Sequence, residues 1–282
     1  VSFVRRAADM EPLRGLLAQA KSGTRLIAKI EKPEALENLD EILAAADGLM
    51  VARGDLGVEV PLHQVPVIQK QLILACIAVG KPVITATQMM ESMIKAPRPT
   101  RAEVSDVANA VFDGTSAVML SGETAMGDFP IQTVRAMATT AEYAEGHLPY
   151  GQLLREGLER DAVSRGEALS QGVTEIASDL GAAAILCSTS SGETARQFAR
   201  LRPSVPIIAA TANVATYRRL ALLWGIQPLL VPETSVVEER IAAMLAGAKL
   251  AGWVMPGDTV VVTAGASVGT PGGTTAFRVE TV

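Results

Sequence analysis

Four short apolar runs, each closing on charged or small polar residues, limit this chain more than any other feature. They are Arg25-Leu-Ile-Ala-Lys-Ile-Glu31, Gly48-Leu-Met-Val-Ala-Arg-Gly-Asp55, Lys81-Pro-Val-Ile-Thr-Ala-Thr-Gln88 and Ser116-Ala-Val-Met-Leu-Ser-Gly-Glu123. None alternates apolar with polar residues, so none offers a face to water, and continuous runs of this kind are the strands of a parallel sheet covered on both sides. The stretches between them read as helices. Val65, Ile68, Leu72, Cys76 and Val79 share one helical face at steps of three and four, with Gly80 as a stop. Thr100-Arg-Ala-Glu103 has the form of a capping box ahead of Val104, Val107, Ala108 and Val111, and Pro130 suits the first turn of a helix reaching to Ala144. The pattern is a β/α repeat.

The periodicity lapses at Gly146, Pro149, Tyr150 and Gly151. That reads as a linker, 146–157, between a first domain, 1–145, and a second, 158–282. A second alternating set follows: helix Ser164–Leu180, strand Ala183–Cys187, helix Glu193–Leu201, strand Ile207–Ala210 and helix Ala215–Leu223. Strand Gln227–Val231, helix Val236–Ala251, strand Thr259–Ala264 and a last strand near Ala276–Val279 complete it. This predicts a smaller α/β domain with a five-stranded sheet.

With 49% hydrophobic and 20% charged residues over 282 positions, the chain is too apolar for disorder. Its formal charge of -5, from 25 basic and 30 acidic residues without long runs, gives no footprint for nucleic acid or an anionic membrane. No apolar run approaches the roughly 18 residues of a membrane span, and Val1-Ser-Phe-Val-Arg-Arg6 lacks a secretory layout. A soluble intracellular protein is expected. Cys76 and Cys187 lie in separate apolar segments and read as reduced core residues. The chain opens with Val inside what reads as a structural element, which suggests part of a longer product.

Charged side chains at the C-terminal ends of parallel strands mark the usual address of an active site. Lys29 and Glu31 are two apart on one strand and point the same way, and Arg53 and Asp55 stand in the same relation on the next. Adjacent strands lie about 4.8 Å apart, so Glu31 and Asp55 could reach one Mg²⁺ completed by water and substrate oxygens; the alternative is that these charged residues make only a structural ion pair at a strand end. Gly54 and Gly57 flank that acid, letting backbone N–H groups turn toward an anion or simply making a turn. Thr85, Thr87 and Gln88 sit at the end of the third run, Ser121 and Glu123 at the end of the fourth. His63 and His147 have no ligand or triad spacing, and no P-loop or Rossmann glycine pattern is present. In the second domain Ser188, Thr189, Ser190, Ser191, Gly192 and Thr194 follow a strand and open a helix, as either a phosphate-holding loop or a capping turn.

Lys29-Ile-Glu31, Met50-Val-Ala-Arg-Gly-Asp-Leu-Gly57, Ala86-Thr-Gln-Met-Met-Glu-Ser-Met93, Pro97-Arg-Pro-Thr-Arg-Ala-Glu103, Ser105-Asp-Val-Ala-Asn109 and Met119-Leu-Ser-Gly-Glu-Thr124 follow one another along the chain. In order and spacing they resemble the barrel motifs of pyruvate kinase. The resemblance implies a partial (β/α)8 TIM barrel followed by an α/β C-terminal regulatory domain, and phosphoryl transfer from phosphoenolpyruvate to ADP, giving pyruvate and ATP. It implies that Lys29 faces the phosphoryl group and the enolate oxygen, and that Glu31 and Asp55 hold Mg²⁺ or Mn²⁺. Gly54 and Asp55 become backbone donors to the substrate carboxylate, Thr87 a hydroxyl with a part in proton delivery, and Arg53 a site organiser. The loop from Ser188 to Thr194 becomes the seat of a small phosphorylated effector, with the Gly- and Thr-rich segment 265–275 opposite it.

The same resemblance exposes departures. Only four complete barrel strands are present, with Val1-Ser2-Phe3 like the tail of a fifth. The family's first three strands and lid domain have no counterpart, and with them go the K⁺ pocket and much of the ADP/ATP site. The chain therefore reads as the C-terminal portion of a pyruvate kinase, inactive in isolation, whose complete form resembles the family's homotetramers. A metal-dependent pyruvate aldolase or lyase would explain Glu31 and Asp55 but not the second domain. A non-catalytic phosphometabolite-binding remnant would explain the missing strands.

Overall fold

The computed structural model describes residues 1–159, 164–265 and 274–282. It divides into two compact units, Val1–Leu148 and Pro149–Val282.

In the first unit, β1 (Ile27–Ile30), β2 (Gly48–Ala52), β3 (Val83–Ala86) and β4 (Ala117–Val118) form one sheet in that order, every pair parallel. Val1 extends the ladder beyond β1. Its carbonyl accepts from the Lys29 N–H at 2.9 Å, and its amino group donates to the Ile27 carbonyl at 2.8 Å. The crossovers carry α1 (Glu11–Gln19), α2 (Pro33–Glu37), α3 (Leu39–Ala45), α4 (Arg53–Glu59), α5 (Val65–Ala78), α6 (Arg101–Phe112), α7 (Gly122–Ala125) and α8 (Pro130–Glu145). The apolar stripe of α5 buries Ile68, Leu72, Ile73 and Cys76 in one core with Ala28, Ile30, Leu49, Val51 and Val83. A second cluster gathers Met89, Met90 and Met93, from the segment after β3, with Val107 and Ala110 of α6 and Met137 of α8. Fully burying a side chain of this size contributes about 1.5–3 kcal/mol, so the segment after β3 is anchored from below.

Two expectations for this unit change. The fourth strand is two residues long rather than a run to Glu123, because Glu123 lies in α7. The chain from Arg53 to Glu59 is helical rather than a strand end followed by a turn.

In the second unit the sheet order is β7-β6-β5-β8-β9: Ile226–Leu230, Ile207–Thr211, Ala184–Ser188, Thr259–Gly265 and Thr274–Thr281. All neighbours are parallel except β8 and β9. Its helices are α9 (Tyr150–Leu158), α10 (Arg165–Asp179), α11 (Glu193–Arg200), α12 (Val214–Leu220) and α13 (Val237–Leu250). Successive strand residues face opposite ways. Ile185 and Cys187 pack with Val173, Phe198 and Leu220 on one side, whereas Ala184 and Leu186 pack with Ile241, Met244 and Ala248 on the other. The unit is three layers thick.

The segment read as a linker is helical from Tyr150 onward. Gly157, buried in α9, would bring an added Cβ within 3.3 Å of Leu201, so it serves close packing rather than a loop. Cys76 and Cys187 are free and buried, and burial pushes both thiols up to about 12, which leaves them inert. Among the described residues no helix is long and apolar enough to cross a membrane. Of the segment 265–275, residues 266–273 lie outside the described part.

Candidate active site

The two-residue period of β1 sets Ala28 and Ile30 into the core and leaves Lys29, and Glu31 just past the strand, on the other side. There the Lys29 ammonium pairs with Glu31 Oε1 and lies 3.8 Å from Asp55 Oδ2. The Glu31 side chain is 2% exposed, that of Lys29 30% and that of Asp55 59%, so the cluster runs from a dry floor to an open mouth. Phe3, with φ of 59°, aims its N–H at the second Glu31 oxygen, 3.0 Å away.

Two carboxylates converging on one cation form a hard-oxygen donor set. That chemistry suits a divalent ion that takes one or two protein carboxylates and keeps its remaining positions for water or substrate oxygens. Among the described residues no three His, Cys, Asp or Glu side chains gather to hold a metal by themselves. An ion here would therefore have Glu31 and Asp55 as its carboxylate ligands, with other oxygens completing its shell.

Arg53 and Asp55 do not point the same way. Because α4 begins at Arg53, the two are separated by about 200° around a helix rather than by one strand period. Asp55 turns to Lys29, and Arg53 turns under the loop after β3. There its Nη2 donates to the Thr87 carbonyl at 2.6 Å, its Nε to the Ala86 carbonyl at 3.3 Å, and its Nη1 to Asp106 Oδ1 at 2.7 Å.

Thr87 and Gln88 both occupy the left-handed region, with φ of 69° and 55°. For a β-branched residue that costs about 1–3 kcal/mol and persists only where neighbours over-determine it. The Thr87 hydroxyl donates to the Ala86 carbonyl at 2.6 Å and accepts from the Gly54 N–H at 2.7 Å. Of the two backbone donors expected at Gly54 and Asp55, the first is thus already engaged. Further along, Met90 N–H donates to the buried Glu123 carboxylate at 3.2 Å, and Ser92 donates to Glu103 from both N–H and hydroxyl at 2.6 Å. Thr100 also donates to Glu103, at 2.7 Å and 2.9 Å, so the capping box of α6 clamps this loop too.

The Ser188–Thr194 loop leaves β5 and enters α11 through Gly192, whose φ of 93° favours glycine. Two of its hydroxyls bond to the loop's own amides. Thr189 Oγ1 accepts from the Gly192 N–H at 2.9 Å, and Ser191 Oγ accepts from the Glu193 N–H at 3.4 Å. From α12, the Thr216 hydroxyl donates to the Ser190 carbonyl at 2.8 Å and accepts from Arg219 at 2.9 Å.

Asp106 and Gln69 escaped sequence reasoning. Asp106 stands within a motif that drew notice, but nothing local pairs it with Arg53, 53 positions away.

An open four-stranded parallel sheet with charged residues gathered where its strands end, followed by a second α/β unit, has the build of part of a β/α barrel with an appended domain. Residues 1–134 match the family described as pyruvate kinase, barrel domain, and residues 167–280 match pyruvate kinase, alpha/beta domain. The chain belongs to the pyruvate kinase family. Over its whole length it is 49% identical to a pyruvate kinase of Geobacillus stearothermophilus, covering 48% of that protein. It is 44% identical to one from Clostridium acetobutylicum, covering 60%, and 46% identical to pyruvate kinase 2 of a Synechocystis species, covering 47%. The chain thus spans about half the length of these relatives.

Proposed function

We propose that this chain carries the enolate-facing and metal-facing side of a pyruvate kinase site, serving transfer of a phosphoryl group from phosphoenolpyruvate to ADP to give pyruvate and ATP in glycolysis. What supports this most is the convergence of Lys29, Glu31 and Asp55 within reach of one another, beside the Thr87–Gly54 pair. Lys29 supplies positive charge where negative charge grows, on the phosphoryl group in transit and on the departing enolate oxygen. Glu31 and Asp55 would hold Mg²⁺ or Mn²⁺, which when bound would supply positive charge against the negative charge of the substrate. The first turn of α4 offers Gly54 and Asp55 N–H groups to the substrate carboxylate, which competes with Thr87 Oγ1 for the Gly54 N–H. To deliver a proton to the enolate carbon, directly or through water, Thr87 exchanges its hydroxyl bond to the Ala86 carbonyl for one toward the substrate, and Arg53 fixes the turn that presents it.

By the same family reading the working enzyme needs K⁺, is a cytoplasmic homotetramer, and takes a small phosphorylated effector at the Ser188–Thr194 loop. Mn²⁺ titration followed by electron paramagnetic resonance tests the metal assignment. Glu31→Gln and Asp55→Asn should each weaken Mn²⁺ binding at least ~10-fold, the scale of losing a group that supports a metal. Unchanged binding in both variants removes the ion from this site.

A further inference from the structure

We propose that Asp106 is a positioning residue for the Thr87 hydroxyl, acting through Arg53; its catalytic consequence rests on the reading of Thr87 just given. The left-handed pair Thr87 and Gln88 is not self-sustaining, because neither residue is glycine and Thr87 is β-branched. What holds the pair is the Arg53 side chain, only 10% exposed, whose guanidinium spreads over Ala86 and Thr87 carbonyls and Met89 sulfur. Those acceptors are neutral. Among the described residues the one anionic partner of that guanidinium is Asp106 on α6, and Gln69 Oε1 of α5 adds a longer bond at 3.4 Å. Gln69 is itself oriented from behind, since its Nε2 donates to Asp113 Oδ2 at 2.9 Å while Lys70 pairs with the other Asp113 oxygen.

A buried cation deprived of its counter-ion moves to water or draws water in, and either response withdraws Arg53 from the two carbonyls. The turn then relaxes to negative φ. That relaxation carries Thr87 Oγ1 away from the Gly54 N–H, so Asp106 governs a hydroxyl it never touches.

Hydrogen exchange at single amides, read by NMR on the 282-residue chain, tests this without any turnover. Asp106→Ala should speed exchange of the Gly54 amide roughly tenfold or more, while the Leu49 amide, bonded to Pro82 at the start of β2, keeps its protection. Thr87→Val should speed Gly54 comparably, and the double variant no further, because both changes break one bond. Asp106→Asn, which keeps an acceptor, should restore most of the protection. Unchanged Gly54 exchange in Asp106→Ala, additive losses in the double variant, or equal loosening at Leu49 would each overturn the proposal. A second measurement separates positioning from catalysis: Mg²⁺-dependent exchange of the pyruvate methyl protons with D₂O. Asp106→Ala should lower its kcat about 10- to 100-fold and leave KM within twofold, the pattern of a displaced group rather than lost binding. If Gly54 responds as stated while Thr87→Val leaves this kcat untouched, the positioning role holds and the catalytic reading of Thr87 falls.

Discussion

The Lys29 ammonium is held between two carboxylates of unequal exposure, one on the dry floor and one at the mouth. In that position it offsets one of the pair's two negative charges, and a divalent ion taking the same oxygens would free it for the substrate. Lys29→Met should therefore separate two roles. In a chimera where the Geobacillus stearothermophilus relative supplies the length this chain does not span, phosphoryl transfer should fall at least ~10²-fold, as for loss of one oriented charge-stabilising group. Mn²⁺ affinity should survive, because Glu31 and Asp55 keep their oxygens. Near-normal turnover in a coupled pyruvate assay would take Lys29 out of the mechanism. Arg53 contrasts with Lys29 at this scale: equally charged, it spends its donors on the Ala86 and Thr87 carbonyls, the Met89 sulfur, Gln69 and Asp106 and leaves none for an anion in the site.

Elements are pinned by residues at their junctions. Asp47, just before β2, binds Arg14 of α1 at 2.6 Å, Arg25 at 2.8 Å and the Leu26 N–H at 2.8 Å. Burial alone would raise this carboxyl, but the Leu26 N–H and the two guanidinium groups outweigh it and hold the group below its ordinary 3.8. The folded value is the lower one, so the contribution is complete above the ordinary value and fades as pH falls through it toward the folded value. The melting temperature should fall below about pH 4, and Asp47→Asn should flatten part of that slope while costing about 1–3 kcal/mol at neutral pH, since charged hydrogen bonds are lost. An unchanged acid limb in the variant would assign the acid sensitivity to other carboxylates. The β5–α11 loop is a junction of another sort, its amides already capped by Thr189 and Ser191. A phosphate must displace those hydroxyls, so calorimetry with a panel of phosphorylated metabolites should find binding that Gly192→Ala weakens; no heat with any of them would leave a capping turn. The strands of both units were legible because continuous apolar runs have few other uses, and α6 because its capping box is local. The helix α4 was not, since Gly54 and Gly57 are poor helix formers and bonds to Thr87, far along the chain, fix its first turn. Nor was the early end of β4, where Met119 still donates to the Thr85 carbonyl although the pairing stops at Val118. The Lys29–Glu31 pairing was readable from a strand period, whereas the divergence of Arg53 from Asp55 depended on where that helix starts.

At the scale of the whole molecule, the four-stranded sheet ends at β1 and β4 without closing, and Val1 alone continues the ladder beyond β1. The side chains gathered on it account for one end of the proposed reaction, the enolate and its metal, and none of them accounts for ADP. Phosphoryl transfer depends on holding donor and acceptor in line, and the entropy saved by that alignment can reach roughly 7–11 kcal/mol of the barrier. With each 1.4 kcal/mol worth about tenfold in rate, a chain that aligns only the donor loses most of its advantage even with every metal- and enolate-facing residue in place. The 282-residue chain alone should accordingly make no useful ATP from phosphoenolpyruvate and ADP, yet retain weak Mg²⁺-dependent affinity for oxalate, a mimic of the enolate. A lactate dehydrogenase-coupled assay with saturating Mg²⁺, K⁺ and ADP, run beside oxalate calorimetry, separates the two halves of that expectation. Robust turnover would mean that the acceptor is aligned by groups within this chain or by a second copy of it; absence of oxalate binding would mean that the Lys29, Glu31 and Asp55 cluster needs the rest of a barrel to hold its shape.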